Sequence, residues 1–296
     1  MKFALLRAVG LLAAFAIGLG LPVLHSYSFL IRVGLIFMLF AVYLRINPAQ
    51  KMFHPTQLIS ICFAISFACC GWWVFNSLGH AQLAQVVFFT AITPTATAAP
   101  VIVGLIGGNI NYTVTTFLLS NLLTSFLFPI LIPIIVGSPA MGVISDVLLR
   151  VFSVTLLPLV VALTLRAVSS VQAESLGKRL APYTFYVWIA LVVLIASNAR
   201  HFLDQQPHIP WNLLGIIAAT SLLICIINFI VGHCIGRPTY ALECSQALGQ
   251  KNTSYTVYLA LHYANPIVAL GPTLYVLWHN IWNAYQLYRY DASSKK

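Results

Sequence analysis

The sequence is poor in charge, and poorest in acid. Its 296 residues include five Asp and Glu together, and 7% of the chain is charged, against about 25% in a soluble domain. So little polar surface cannot solvate a globule of this size. Metal-dependent or acid–base chemistry would also find few groups to work with. There is no Gly-x-Ser-x-Gly, no His-x-x-His and no cluster of acids. Cysteine is present without pattern: residues 62, 69, 70, 225, 234 and 244 fit neither a metal spacing nor a disulfide framework. They read as small buried hydrophobes. No connection between apolar runs is long enough to hide a soluble domain. The expectation is a protein that is not an enzyme, with no cofactor and no bound metal.

What the chain has is apolar length: 60% of it is hydrophobic. A helix that crosses a bilayer needs about 20 apolar residues. Ten segments fit that rule: 3–24, 28–45, 56–78, 82–107, 111–136, 142–166, 180–199, 211–235, 238–263 and 267–289. This predicts an all-α polytopic membrane protein. Met1-Lys2 ahead of an apolar run has the outline of a signal peptide. No Ala-x-Ala site precedes a soluble region, so 3–24 reads as an uncleaved first span. Short connections such as His25-Ser26-Tyr27, Gly79-His80-Ala81 and Gly137-Ser138-Pro139 contrast with longer ones at 46–55, 167–179 and 200–210.

The net charge of +10 is explained by where the cations fall. With the N-terminus inside, Lys2, Arg7, Arg45, Lys51, Arg166, Lys178, Arg179, Arg237, Arg289, Lys295 and Lys296 all lie on the cytoplasmic face. Arg200 alone lies on the other, and Arg32, Arg150 and Lys251 fall within spans. By the positive-inside rule this predicts a multi-pass protein of the cell (inner) membrane with both termini cytoplasmic. The partners expected are the lipid bilayer and a small solute, not nucleic acid.

Two segments are interrupted. The fourth contains Thr93-Pro94-Thr95-Ala96-Thr97-Ala98-Ala99-Pro100, and each proline there removes a backbone donor. The ninth contains Gly249-Gln250-Lys251-Asn252. Unwound backbone survives at membrane depth only where protein or a watery cavity covers it. Five spans separate the breaks, which makes the second half an inverted copy of the first, residues 1–137 against 138–290. Broken helices at corresponding positions of inverted repeats mark the site in many secondary transporters.

Lys251 is the leading candidate residue, because a charge near the bilayer centre costs at least about 2.5–3.5 kcal/mol on insertion scales. Thr93, Thr95 and Thr97 are expected to satisfy backbone groups freed by the prolines. Helix N-termini after Pro100 and near Thr253 favour an anion. The substrate-binding set is therefore Thr93, Thr95, Thr97, Ala98, Lys251, Asn252 and Thr253. Gln250 flanks the lysine as a candidate ligand, with Gln246 a weaker one. Glu243 reads in two ways, as a cation ligand or counter-ion of Lys251, or as an acid paired with Arg237. Asp146 and Arg150 are spaced to pair, and Arg32 has no partner in sequence. His279 reads as a satisfied core histidine, and Asn280 and Asn283 as amides that bond neighbouring helices. Gly104 and Gly108 give a small-xxx-small match. Trp72, Trp73, Trp211 and Tyr288 suit the membrane interface.

The run Ile92 to Pro100, followed by Gly107-Gly108-Asn109, resembles the fourth-helix motif of the bile acid:sodium symporter family. Glu243 with Gly249-Gln250-Lys251-Asn252 is similar to that family's ninth-helix Glu-x-Gly-x-Gln-Asn. The resemblance implies a divergent, bacterial-type organic-anion symporter. In that fold spans 1, 2, 6 and 7 form a panel, spans 3–5 and 8–10 form a core, and the broken helices cross. It also implies a departure. Lys251 stands in the place of the family's glutamine and Ala247 in that of its sodium-binding glutamate. Ala99-Pro100 replaces Ser-Asn, and Phe117 replaces a hydroxyl, while Thr113 keeps one. Ion coupling would then fall to Lys251, Gln250, Glu243 and Thr113. The ammonium of Lys251 would supply the charge that sodium supplies in relatives, or carry a proton. A one- or four-residue gap would restore a sodium ligand through Glu243. An intramembrane lipid-modifying enzyme and a non-transporting receptor are the rival classes.

Overall fold

The computed structural model describes residues 10, 13–45, 53–138, 141–205 and 211–293. Lys2, Arg7, Lys51, Lys295 and Lys296 of the orientation argument lie outside the described residues, as do Pro139 and the side chain of Trp211. Helix covers nearly everything else, and no strand occurs among the described residues. In an apolar solvent each N–H must bond within its own segment, and the helix does this.

The elements are α1 (13–20), a short 3-10 turn (Pro22–Tyr27), α2 (Phe29–Tyr43), α3 (Pro55–Ser77), α4 (Ala81–Ala91), α5 (Ala99–Leu105) and α6 (Ile110–Ile135). They continue with α7 (Met141–Val151), a π segment (Phe152–Leu156), α8 (Leu157–Val168) and α9 (Ser170–Gln205). The last four are α10 (Trp211–Gly236), α11 (Ala241–Gly249), α12 (Thr253–Tyr263) and α13 (Pro266–Ser293). Among the described residues, five stretches are long and apolar enough to cross a membrane: Pro55–Ser77, Ile110–Ile135, Met141–Val168, Ser170–Gln205 and Asn212–Gly236. Their outer faces carry exposed Trp73, Phe126, Ile130, Leu149 and Leu223. Water disfavours such a surface and lipid accepts it. The protein is a membrane-embedded helical bundle.

The expected connection at 167–179 is not a loop. Helix runs through it with a break only at Ser169. Glu174 and Lys178 pair at 2.7 Å one turn apart, and the stretch around them is rich in residues that favour helix. Segment 142–166 carries a π turn just before Pro158. The proline has no N–H for the preceding turn, and a wider turn absorbs the mismatch.

Helix α2 packs on α8 and α9, α3 on α4, and α13 on α4, α10 and α12. Helix α10 lies closest to α11, at Gly232 and Gly236. A Cβ at Gly232 would stand 2.7 Å from the Cys244 carbonyl oxygen and 2.8 Å from Ser245 Cα. One at Gly236 would stand 2.8 Å from Ala241 Cα. This is the small-residue contact that matters. Gly104 and Gly108 instead flank the end of α5, where Ile110 and Val103 are the nearest neighbours. The cysteine expectation is corrected in part. Cys225 and Cys244 are buried, but Cys62, Cys70 and Cys234 are exposed. A small apolar thiol is as well placed against lipid as against protein.

Candidate functional site

The fourth segment breaks where the prolines stand. Helix α4 ends at Ala91 and α5 begins at Ala99, with Pro100 in its first turn. The ninth breaks between Gly249, the last residue of α11, and Thr253, the first of α12. The two unwound stretches run antiparallel and form a β-bridge between Thr95 and Lys251. The Ala96 N–H donates to the Gln250 carbonyl at 2.8 Å, and the Asn252 N–H to the Pro94 carbonyl at 2.8 Å. Each break thus supplies backbone partners that the other lacks, which is what burial without water requires.

Side chains complete the joint. Thr93 Oγ1 donates to the Phe89 carbonyl at 2.8 Å and meets Thr256 Oγ1 at 2.8 Å. Thr95 Oγ1 donates to the Ala247 carbonyl at 2.8 Å. Thr97, half-buried, makes no hydrogen bond among the described residues, and Ala98 is exposed. Two groups on α6 hold the first break from outside. Ser120 Oγ accepts from the Thr95 N–H at 3.1 Å, and Asn121 Nδ2 donates to the Thr95 carbonyl at 3.1 Å. Neither was singled out by sequence. The signal was a polar stripe at helical spacing: Thr113, Thr116, Ser120, Asn121 and Thr124. Tyr275 of α13 fixes the second break, its hydroxyl donating to the Gly249 carbonyl at 2.7 Å.

Lys251 is 3% exposed. Its Nζ donates to the Ala91 carbonyl at 3.1 Å. Ala91 closes α4, so this is a helix C-terminus with unpaired carbonyls and the negative end of the helix dipole. No carboxylate pairs with Lys251 among the described residues. Dipoles, not an ion pair, hold the charge. Beside it lies a cavity of about 20 Å³, lined by Ser60, Thr93, Thr95, Ser120, Thr124 and Lys251 among others. That is room for about one water.

Thr253 and Ser254 face the other way. They line a space of about 10 Å³ with Phe15 of α1, Val192 and Ile195 of α9, and residues of α13. Among the expected residues, Thr93, Thr95 and Lys251 therefore come together, and Thr253 lies on the opposite face of the crossing. Asn252 contributes its backbone. Gln250 Nε2 donates to Gln246 Oε1 at 2.5 Å, and Gln246 in turn donates to Gln286 of α13. These amides form a ladder along α11 and α13 and do not converge on the lysine. Thr113 is buried and bonds its own helix, to the Asn109 carbonyl at 3.3 Å.

Glu243 is the counter-ion of neither Lys251 nor Arg237. Its Oε1 accepts from the Asn109 N–H at 2.7 Å, ahead of the first turn of α6. No ion pair joins it to Lys251 or Arg237 among the described residues, and Arg237 instead reaches the His233 ring at 3.3 Å. Asn109, four residues past the end of α5 and just ahead of α6, has an amide that needs an acceptor, and the acid supplies one. His279 is buried edge-on to Tyr275, as a core residue, but its Nδ1 has no partner among the described residues. Asn280 bonds its own helix and Asn283 Oδ1 is unpartnered. In that stripe it is Trp278 that reaches a neighbour, donating to Ser221 Oγ at 3.0 Å.

No protein-family model matches the chain, and neither does any curated protein. The likeness to symporters rests on the two motifs alone.

Proposed function

We propose that this protein is a secondary transporter of a small organic anion that works by alternating access without sodium. In this reading the chain makes ten spans in two inverted repeats, about 1–137 and 138–290. Spans 1, 2, 6 and 7 rock as a panel against a core of the others, with both termini on the cytoplasmic side of the cell membrane. Lys251 stands in for the coupling cation.

The observation that carries the reading is the contact between Lys251 Nζ and the Ala91 carbonyl inside the paired breaks. Carbonyls at a half-helix C-terminus are the groups that coordinate a coupling cation in transporters with discontinuous helices. Here an ammonium fills that place and is tethered to the chain. The cavity beside it takes about one water and no organic acid. We place the anion on the opposite face of the crossing, at the N-terminus of α12 by Thr253, because a helix N-terminus favours an anion; the space there, about 10 Å³, must widen as panel and core rock apart. The sodium-coupled alternative through Glu243 loses support, because that carboxylate serves the Asn109 amide.

The test is uptake of radiolabelled small carboxylates into proteoliposomes. Replacing sodium by choline is expected to leave the rate unchanged. Lys251→Ala is expected to lower it at least about tenfold, the scale of lost charge compensation at a buried site. A strict sodium requirement, or a variant that transports like wild type, overturns the reading.

A further inference from the structure

A second group of charges lies away from the crossing, where α2, α7, the π segment and α12 meet. Asp146 Oδ2 accepts from Arg150 Nε at 2.9 Å and from the Tyr263 hydroxyl at 2.9 Å, and lies 3.4 Å from His262 Nε2. Arg150 Nη1 also reaches the Tyr258 hydroxyl at 3.4 Å. Tyr258, His262 and Tyr263 belong to α12, so one carboxylate ties α7 to the half-helix that leaves the second break.

Arg32 enters from α2. Its Nη2 donates to Ser153 Oγ at 2.8 Å, and Ser153 donates to the Arg150 carbonyl at 2.9 Å. Ser153 sits in the π segment, a feature that recurs at functional sites.

The charges do not balance. Two arginines face one carboxylate, and that carboxylate is already engaged by Arg150, Tyr263 and His262. Arg32 has no acidic partner among the described residues, and only Ser153 takes one of its five donors. An arginine inside an apolar segment is costly, and by default it marks a functional site. The cluster is also reachable, unlike Lys251: the side chains of Arg150, Asp146 and His262 are 26%, 43% and 38% exposed.

We propose that Arg32, backed by Ser153 and Arg150, is a recognition site for the carboxylate of a small organic acid. The planar guanidinium fork matches a carboxylate in two parallel hydrogen bonds, which an ammonium cannot do. The role as an entry site rests on the transporter reading; the binding site itself does not.

The experiment uses the full-length protein with benzoate and pyruvate as choline salts and choline chloride as control. It reads thermal unfolding in detergent and uptake in proteoliposomes. The wild type should be stabilised by at least one of the two acids. Arg32→Gln should abolish the shift, and Arg32→Lys should weaken apparent affinity about tenfold, because charge remains and the fork does not. Ser153→Ala keeps both charges but removes the hydroxyl that holds Arg32: affinity should fall a few-fold, and cooperative unfolding of the free variant is the check against a folding defect. Stabilisation of Arg32→Gln equal to wild type overturns the site, even if uptake proceeds. Arg32-dependent stabilisation without uptake keeps the site and overturns transport. No stabilisation of the wild type by either acid overturns the carboxylate assignment.

Discussion

The first unwound stretch, 92–98, is built from threonine and proline and carries no charge, whereas the second, 250–252, is shorter and carries a lysine. Their backbones meet as equals, exchanging one hydrogen bond each way across the Thr95–Lys251 bridge. Their side chains do not. The first stretch is gripped from outside by Ser120, Asn121 and the Ala247 carbonyl. The second is tied to its own helix and to Tyr275, and sends its one charge across to the end of α4. The difference teaches a division of labour. The uncharged stretch is a frame set by neighbours, and it holds in register the charged one, which the proposed function makes the working part.

The comparison breaks hardest under reversal of the charge. Lys251→Glu would set a buried carboxylate against the carbonyls at the end of α4, with no cation to pair it. An uncompensated buried charge costs about 3–5 kcal/mol, so the variant should lose most of its folded yield by size-exclusion chromatography. Recovery at wild-type level would mean that Lys251 does not sit among those dipoles. Next is Asn121→Ala, which strips the Thr95 and Phe117 carbonyls of a shared donor. Buried groups left this way cost about 1–3 kcal/mol. A lower melting temperature is expected, with uptake responding to sodium as in the wild type, since the Lys251 contact is left in place. The smallest and sharpest contrast is between two threonines in one stretch. Thr95→Val loses a buried hydrogen bond worth about 1 kcal/mol. Thr97→Val loses none and should melt within about 0.5 kcal/mol of wild type. Equal losses in the two would remove the claim that neighbours set the frame.

Much of the architecture was legible in one dimension. Apolar length marks a lipid-buried helix; proline with threonine marks the first interruption and Gly249 ahead of polar Gln250-Lys251-Asn252 the second, so both breaks could be placed from sequence. The Asp146–Arg150 pair was also readable, because four residues make one turn. What was not legible depends on rotation about helix axes. Ser120 and Asn121 matter because α6 turns that face toward the first break, and no spacing rule says which neighbour a polar stripe will meet. Glu243 was weighed against two distant cations, while its partner is a backbone amide, and amides leave no trace in composition. The stretch 167–179 was mistaken for a loop because polarity was read as irregularity, although its charges are spaced for a helix.

The bridge between Thr95 and Lys251 also constrains how the protein is made. The two strands that complete each other lie more than half the chain apart. When residues 92–98 leave the ribosome, the segment that will satisfy them has not yet been synthesised. The first broken helix must therefore wait, sheltered by the insertion machinery or by its contacts with α6, until the second arrives. Pairing of the two breaks, and with it the finished fold of the crossing, waits for the last third of the chain.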